Sequence, residues 1–234
     1  MNFPEKLDAL CQGLSPAEQA NYKLLMGLAA SGLSPSFDNT KSPDGNIRAF
    51  EVVSHCLTSF QPYKDRMTKN GIAWRGRPDF MTDELLASLQ KEADETRKVA
   101  YAYDNHYVGP GAPIANALAL SAELKGLVRL HAGNVQSTGI ASYLYYEREG
   151  QGIPPHIDTD IFSLNVLLML KHRGGGARRS CLVVFPSHDY SERIDLELGE
   201  IVILFAGSVT HAREYMAADE EVGILTFGFH PLGE

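Results

Sequence analysis

The sequence predicts an α+β protein in which helices come first and buttress a β core of sandwich or barrel type. Two observations predict it. From about Thr138 onward, short runs rich in β-branched and aromatic residues alternate with turn signals. The runs are 140–146 (IASYLYY), 161–170 (IFSLNVLLML), 181–185 (CLVVF), 200–205 (EIVILF) and 222–229 (VGILTFGF), and regularly spaced short strands of this kind mark a sheet folded on itself. Before that point apolar residues recur mainly at helical spacing, and helices followed by strands make an α+β assembly. A chain of 234 residues can build one domain with a sizeable core. We therefore read 1–234 as one domain, with 1–137 as helical support, early strand and substrate loops and 138–234 as the β core.

The elements follow in order. Ser15-Pro16-Ala17-Glu18 has the pattern of a capping box with proline in the first helical turn. Tyr22, Leu24, Leu25, Leu28 and Ala29 continue that helix, and Gly32 is a stop signal. Ser34 to Gly45, with two prolines and several Ser, Asn and Asp residues, reads as a loop. Ile47 to Val53 (IRAFEVV) reads as an early strand. Thr82 and Asp83 cap a long helix reaching about Tyr101, with Leu85, Leu86, Leu89, Ala93 and Ala100 as its apolar stripe. Gly109-Pro110-Gly111-Ala112-Pro113 breaks the chain, and a further helix is expected from Ile114 to His131. In the β half the turns are Gly150-Gln151-Gly152, Gly174-Gly175-Gly176, Pro186-Ser187 and Leu198-Gly199.

Composition bounds the function. The chain is 44% apolar and 21% charged, and 21 basic against 29 acidic residues leave a net charge of −8. A nucleic-acid binder needs a basic surface to displace counterions from phosphates, so nucleic acid is not expected as a partner. A small-molecule substrate is compatible with this balance. Apolar runs such as Val166–Leu170 fall far short of the ~20 residues that span a bilayer, so no membrane partner is expected either. The opening Met1-Asn2-Phe3-Pro4-Glu5-Lys6 lacks a basic stretch leading into an apolar segment, and three widely spaced cysteines fit reduced thiols; both point to the cytoplasm.

The chemical signal is His156-Ile157-Asp158 followed much later by His211. In extended backbone residues i and i+2 share a face, so His156 and Asp158 can point at one ion. A second imidazole from a distant strand completes two histidines and one carboxylate on one face of an octahedron. Three positions stay open, which is what a non-haem Fe(II) centre needs. A His-x-Asp triplet alone is common. Its setting adds weight: His156 follows a Gly/Pro segment at a strand mouth, and His211 follows the apolar run 200–205 and the turn Ala206-Gly207-Ser208.

Residues 141–230 resemble the double-stranded β-helix (jelly-roll, cupin-like) core of the Fe(II)/2-oxoglutarate-dependent oxygenases, particularly their prolyl-hydroxylase-like branch. A tyrosine strand runs through a glycine turn into His-x-Asp (Tyr146 to Asp158), and a Gly-Gly turn precedes a run ending in Phe-Pro (Gly174 to Pro186). A Gly-acidic turn then precedes an apolar strand and a histidine (Gly199 to His211). The resemblance implies a hydroxylase whose metal ligands and catalytic centre are His156, Asp158 and His211. It implies Fe(II), 2-oxoglutarate as co-substrate, O2, and ascorbate as a stimulant. Oxidation of a substrate C–H bond would be coupled to decarboxylation of 2-oxoglutarate to succinate. Relatives that halogenate replace the carboxylate, so Asp158 favours hydroxylation.

The chain departs from that family at one point. The Arg or Lys that usually holds the far carboxylate of 2-oxoglutarate would fall near Glu220-Glu221-Val222, and no Arg or Lys follows Arg213. A carboxylate removed from water needs a cation. Arg213 shares the face of His211 by alternation, and Lys171 resembles the co-substrate lysine of Jumonji-type relatives; Arg213 is the preferred anchor. Tyr146 matches the co-substrate tyrosine, with Tyr143 and Tyr145 as competitors that otherwise pack. Asp160 reads as a neighbour of the site or a surface residue, Arg178 and Arg179 as a solvated hairpin tip, and His172, His188 and His230 as lacking a partner at metal spacing. Trp74 is either core packing or part of a lid. The expected function is hydroxylation of a small metabolite. A peptide hydroxylase using 61–80 as a groove, and a non-catalytic metal-binding sensor, are the alternatives.

Overall fold

The computed structural model describes residues 3–33, 44–176 and 179–233. Its helices are α1 (Phe3–Gln12), α2 (Pro16–Leu33), α3 (Asp44–Ser59), α4 (Asp83–Arg97), α5 (Pro113–Ala119) and α6 (Ala122–Ala132). Three strands lie among them: β1 (Ile72–Gly76), β2 (Tyr101–Tyr103) and β3 (His106–Pro110). The rest follow as β4 (Val135–Tyr146), β5 (Ile153–His156), β6 (Leu164–Arg173), β7 (Leu182–Ser187), β8 (Tyr190–Ile194), β9 (Ile201–Leu204), β10 (Thr210–Arg213) and β11 (Glu221–Pro231). The expected loop at 34–45 lies outside the described residues except for its last two positions, which open α3.

The helix starts obey their caps. At α2 the Glu18 carboxylate accepts from Ser15 N at 2.8 Å and Ser15 Oγ accepts from Glu18 N at 3.4 Å. Thr82 Oγ1 caps α4 through Leu85 N at 3.2 Å. The single helix expected over 114–131 is two, because Ser121 Oγ accepts from Leu124 N at 3.1 Å and so begins α6 anew. The expected strand at 47–53 is instead part of α3. Phe50, Val53, Cys56 and Leu57 are buried while Arg48 and Glu51 are exposed, a helical period that the seven-residue window was too short to reveal.

Among the described residues, eleven strands form two antiparallel sheets, one in the order β1-β9-β6-β11-β4-β3-β2 and one in the order β5-β10-β7-β8. The region before residue 138 thus supplies three strands to the large sheet as well as helices. Leu167, Met169, Leu182, Val184, Val202, Leu204 and Ile224 fill the space between the sheets. The outer face of the large sheet is covered by α4, α5 and α6 through Leu86, Leu89, Ala115, Leu118, Leu124 and Val128. Covered on both sides, β6 is buried continuously from Leu164 to Leu170. On the small sheet, Phe50 of α3 packs against Val183, Phe185 and Ala212. Trp74, on β1, lies 5.7 Å from the His131 ring of α6 and packs against the helix-side core, so the lid alternative for it falls away. Among the described residues no helix is long and apolar enough to cross a membrane.

Candidate metal centre

The site forms where β5 and β10 pair, with His156 directly opposite His211. Strand β5 carries Pro154 and Pro155, which is tolerable because it is the edge of the small sheet. The preceding glycines have steric reasons. Gly150 sits at φ +76°, and a Cβ on Gly152 would come within 2.8 Å of the Arg213 carbonyl oxygen, so β10 can approach only a residue without a side chain. Gln151 locks this turn by accepting from Glu147 N at 2.6 Å and Arg148 N at 3.1 Å.

The two imidazole rings stand 4.4 Å apart between centroids. Asp158 reaches both, with Oδ1 3.4 Å from His156 Nε2 and Oδ2 3.5 Å from His211 Nε2. One ligand atom from each of the three lies within 4.8 Å of the others. Each histidine donates its Nδ1–H to the carbonyl two residues back, Pro154 O at 2.9 Å and Val209 O at 3.1 Å. A carbonyl can only accept, so each Nε2 keeps its lone pair for the centre of the cluster. Asn165 Nδ2 donates to Asp158 Oδ2 at 2.7 Å and the Asp158 amide donates to Ala206 O at 3.0 Å, fixing the carboxylate. Burial acts to raise the Asp158 pKa, but His211 and then His156 outweigh it and hold the carboxyl well below the usual range. Burial acts to lower His156, and Asp158 outweighs that and raises it. Two neutral-capable imidazoles and a firmly ionised carboxylate are the donor set that a divalent first-row metal takes, so these residues fit Fe(II).

The three residues open into a cavity of about 480 Å³ between the sheets, also lined by His106, Tyr146, Arg213, Ile224 and Thr226. Arg213 is 4% exposed and shares the face of His211 as alternation requires. Its Nη2 donates to Ser180 Oγ at 2.8 Å, while its Nε is buried with no partner and no carboxylate pairs with it among the described residues. Burial pushes its pKa down, the mark of a guanidinium short of anionic partners. An unsatisfied buried N–H beside the candidate metal triad fits a carboxylate ligand such as 2-oxoglutarate.

Tyr146 lies on the inner face, 5.8 Å from the Arg213 guanidinium, and burial raises its phenol so that it stays a donor. Tyr143 and Tyr145 face the opposite way, donating to Glu92 Oε1 at 2.6 Å and Ala93 O at 2.7 Å on α4. Lys171 is not brought to this cavity. The pairing of β6 with β11 skips Leu170, and this bulge turns Lys171 to the outer face, where its ammonium pairs with Glu221. Asp160 is surface, 3.5 Å from Lys23 Nζ. His172 is buried against Glu220, His188 stacks edge-on to Phe50, and His230 pairs across to Gln136 on β4; none joins the metal cluster. Arg179 bridges to Asp195, and Arg178 lies outside the described residues.

Sequence reasoning missed His106 and Asp104. Both line the cavity from the β2–β3 hairpin, and His106 stacks on Tyr146 at 5.4 Å. Two short strands with the turn Asp104-Asn105 between them were the available signal.

The fold is that of the Fe(II)/2-oxoglutarate-dependent oxygenases, a double-stranded β-helix with its candidate metal triad at the meeting of β5 and β10. Similar solved structures include SnoN, a non-heme alpha ketoglutarate dependent epimerase from nogalamycin biosynthesis, at TM-score 0.60 and 14% identity over 77% of this chain and 84% of that one. HygX from Streptomyces hygroscopicus, with nickel and 2-oxoglutarate bound, has a TM-score of 0.55 and 10% identity over 70% of this chain and 83% of its own. A Pseudomonas putida prolyl-4-hydroxylase matches at TM-score 0.55 and 15% identity over 76% of this chain and 100% of its own. No protein-family model matches the chain, and no curated protein sequence does.

Proposed function

We propose that this chain is an Fe(II)/2-oxoglutarate-dependent oxygenase that hydroxylates a C–H bond of a small-molecule metabolite. The observation that carries the reading is the convergence of His156, Asp158 and His211 in a cavity that also holds the unsatisfied, buried Arg213, on the same strand and face as His211. His156 Nε2, His211 Nε2 and an Asp158 oxygen would hold the iron. Arg213 would hold the distal carboxylate of 2-oxoglutarate, and Tyr146 would donate its hydroxyl. Bound iron and 2-oxoglutarate supply the oxidising power from O2, with release of succinate and CO2. The chain's own residues do the rest: Asn165 fixes Asp158, the two backbone carbonyls fix the imidazole tautomers, and the apolar walls Leu144, Leu167 and Ile224 exclude water. Arg213 supplies the cation whose absence from the last strand favours a sensor, so the catalytic reading is preferred. A cavity of about 480 Å³, together with Trp74 packed into the core, favours a small substrate over a peptide.

The test has two parts. Anaerobic addition of Fe(II) and 2-oxoglutarate should give the visible metal-to-ligand charge-transfer band of a chelated 2-oxo acid. Admission of O2 with ascorbate should then release succinate. Absence of the band would overturn the proposal.

A further inference from the structure

The β2–β3 hairpin carries groups that the metal chemistry does not use. His106 is 6% exposed, lines the cavity, and its Nδ1 is buried with no hydrogen-bond partner. When the sealed Nδ1 carries the proton, Nε2, which is neither sealed nor hydrogen-bonded among the described residues, is left as a free acceptor on a ring that lines the cavity. Two residues earlier, Asp104 lines the same cavity and makes no ion pair among the described residues. Asp104 occupies the left-handed region at φ +48°, which places it at the tip of a two-residue turn between Tyr103 and His106. The tip is pinned, because Asn105 Nδ2 donates to the Gly150 carbonyl at 2.6 Å in the turn that leads to His156. Tyr103, exposed and also lining the cavity, stands edge-on to the His106 ring at 5.8 Å.

Charge decides what this group of side chains would bind. This step rests on the proposed function. With divalent iron, dianionic 2-oxoglutarate, ionised Asp158, cationic Arg213 and neutral ligating imidazoles, the formal charges at the metal cancel. Asp104 is then the remaining formal charge on the cavity lining, and it is negative. An ammonium group has three N–H donors and no acceptor. A carboxylate and a neutral imidazole nitrogen supply acceptors for it, and a tyrosine ring supplies a face for the cation.

We infer that Asp104 and His106 hold a protonated amine at the mouth of the iron cavity, so the primary substrate belongs to the class of monocationic amines. The pinned hairpin sets the distance from that amine to the metal, and hence which C–H bond is presented.

Three ring probes that differ in charge test this: cyclohexylamine, cyclohexanol and cyclohexanecarboxylate. Each is titrated into the full chain loaded anaerobically with Fe(II) and 2-oxoglutarate, and binding is read as a shift of the charge-transfer band. The band before any probe is added reports the oxygenase reading by itself, so its failure is distinct from failure of the amine site. Cyclohexylamine should bind roughly twofold to fivefold more tightly than cyclohexanol, the order expected for one exposed ion pair. The carboxylate should bind weakest. Asp104→Asn keeps a residue that tolerates the left-handed backbone and should bring amine and alcohol to equal affinity. His106→Phe keeps the stack on Tyr146 and should narrow the difference. An amine bound no tighter than the alcohol by the wild-type chain, or a preference that survives in Asp104→Asn, would overturn the inference.

Discussion

Arg213 donates through Nη2 to Ser180 Oγ at 2.8 Å, while its Nε, equally enclosed, has no acceptor among the described residues. Ser180 is held in turn by its own N–H, which donates to Glu220 Oε1 at 2.7 Å. The guanidinium is therefore oriented by the protein but left unsatisfied on one side. Arg213→Ala should raise the KM for 2-oxoglutarate by roughly 10-fold to 100-fold, the range of a lost charge-assisted hydrogen bond. Lys171→Ala should leave it unchanged, because that ammonium is turned to the outer face. Steady-state kinetics with 2-oxoglutarate varied would measure both, and an unaltered KM in Arg213→Ala would remove this residue as the anchor.

The paired histidines give a second expectation. His156→Ala or His211→Ala should abolish iron-dependent succinate release while the Tm of the metal-free protein changes little. Neither ring fills the space between the sheets, which is occupied by Leu167, Met169, Val184 and their neighbours. Calorimetric titration with Fe(II) or a redox-silent divalent ion should show the high-affinity site lost. Retention of wild-type turnover in either variant would sink the metal assignment.

Acid stability should depend on Glu220. Burial acts to raise its pKa, but the N–H groups of Ala217 and Ser180 and the ring of His172 outweigh burial and hold it below the ordinary value. A group depressed in the folded state stabilises above its unfolded pKa, about 4.3 for a glutamate, and that contribution is lost as pH falls through the folded value. Glu220→Gln should lower the Tm at neutral pH and flatten the fall in Tm below about pH 4. An unchanged acid limb would show that the carboxylate is not coupled to folding.

Helix α3 can be tested by its period. A strand would place Arg48 and Phe50 on one face, whereas the helix buries Phe50 and exposes Arg48. Phe50→Ala should cost about 3–5 kcal/mol, and Arg48→Ala should stay within about 0.5 kcal/mol. Denaturant unfolding of both variants would measure the contrast, and equal costs would contradict the packing of α3 on the small sheet.

The strands that matter most to the site were only partly legible. The five apolar runs after Thr138 became β4, β6, β7, β9 and β11 because buried strands announce themselves through β-branched and aromatic density. Strands β5 and β10, which carry His156 and His211, are four residues each and contain prolines or polar residues; their extended form is imposed by pairing with each other and with β7. The hairpin β2–β3 escaped notice for the same reason.

The sequence by itself determined which side chains could carry chemistry and where two of the helices begin, since residue identity, caps and alternation are local properties. His156 and Asp158 two apart, Arg213 two beyond His211, and Ser15 and Thr82 before their helices express such rules, whereas the cap at Ser121 lay inside a stretch that reads as one helix. Only the tertiary structure decided what sits beside what. A bulge at Leu170 sent Lys171 away from the cavity, packing of Phe50 against β7 and β10 made 47–53 part of the 16-residue helix α3, and a pinned turn brought Asp104 and His106 to the cavity of the candidate metal triad. Strand register and side-chain facing depend on partners distant along the chain, and a single inserted residue reverses them.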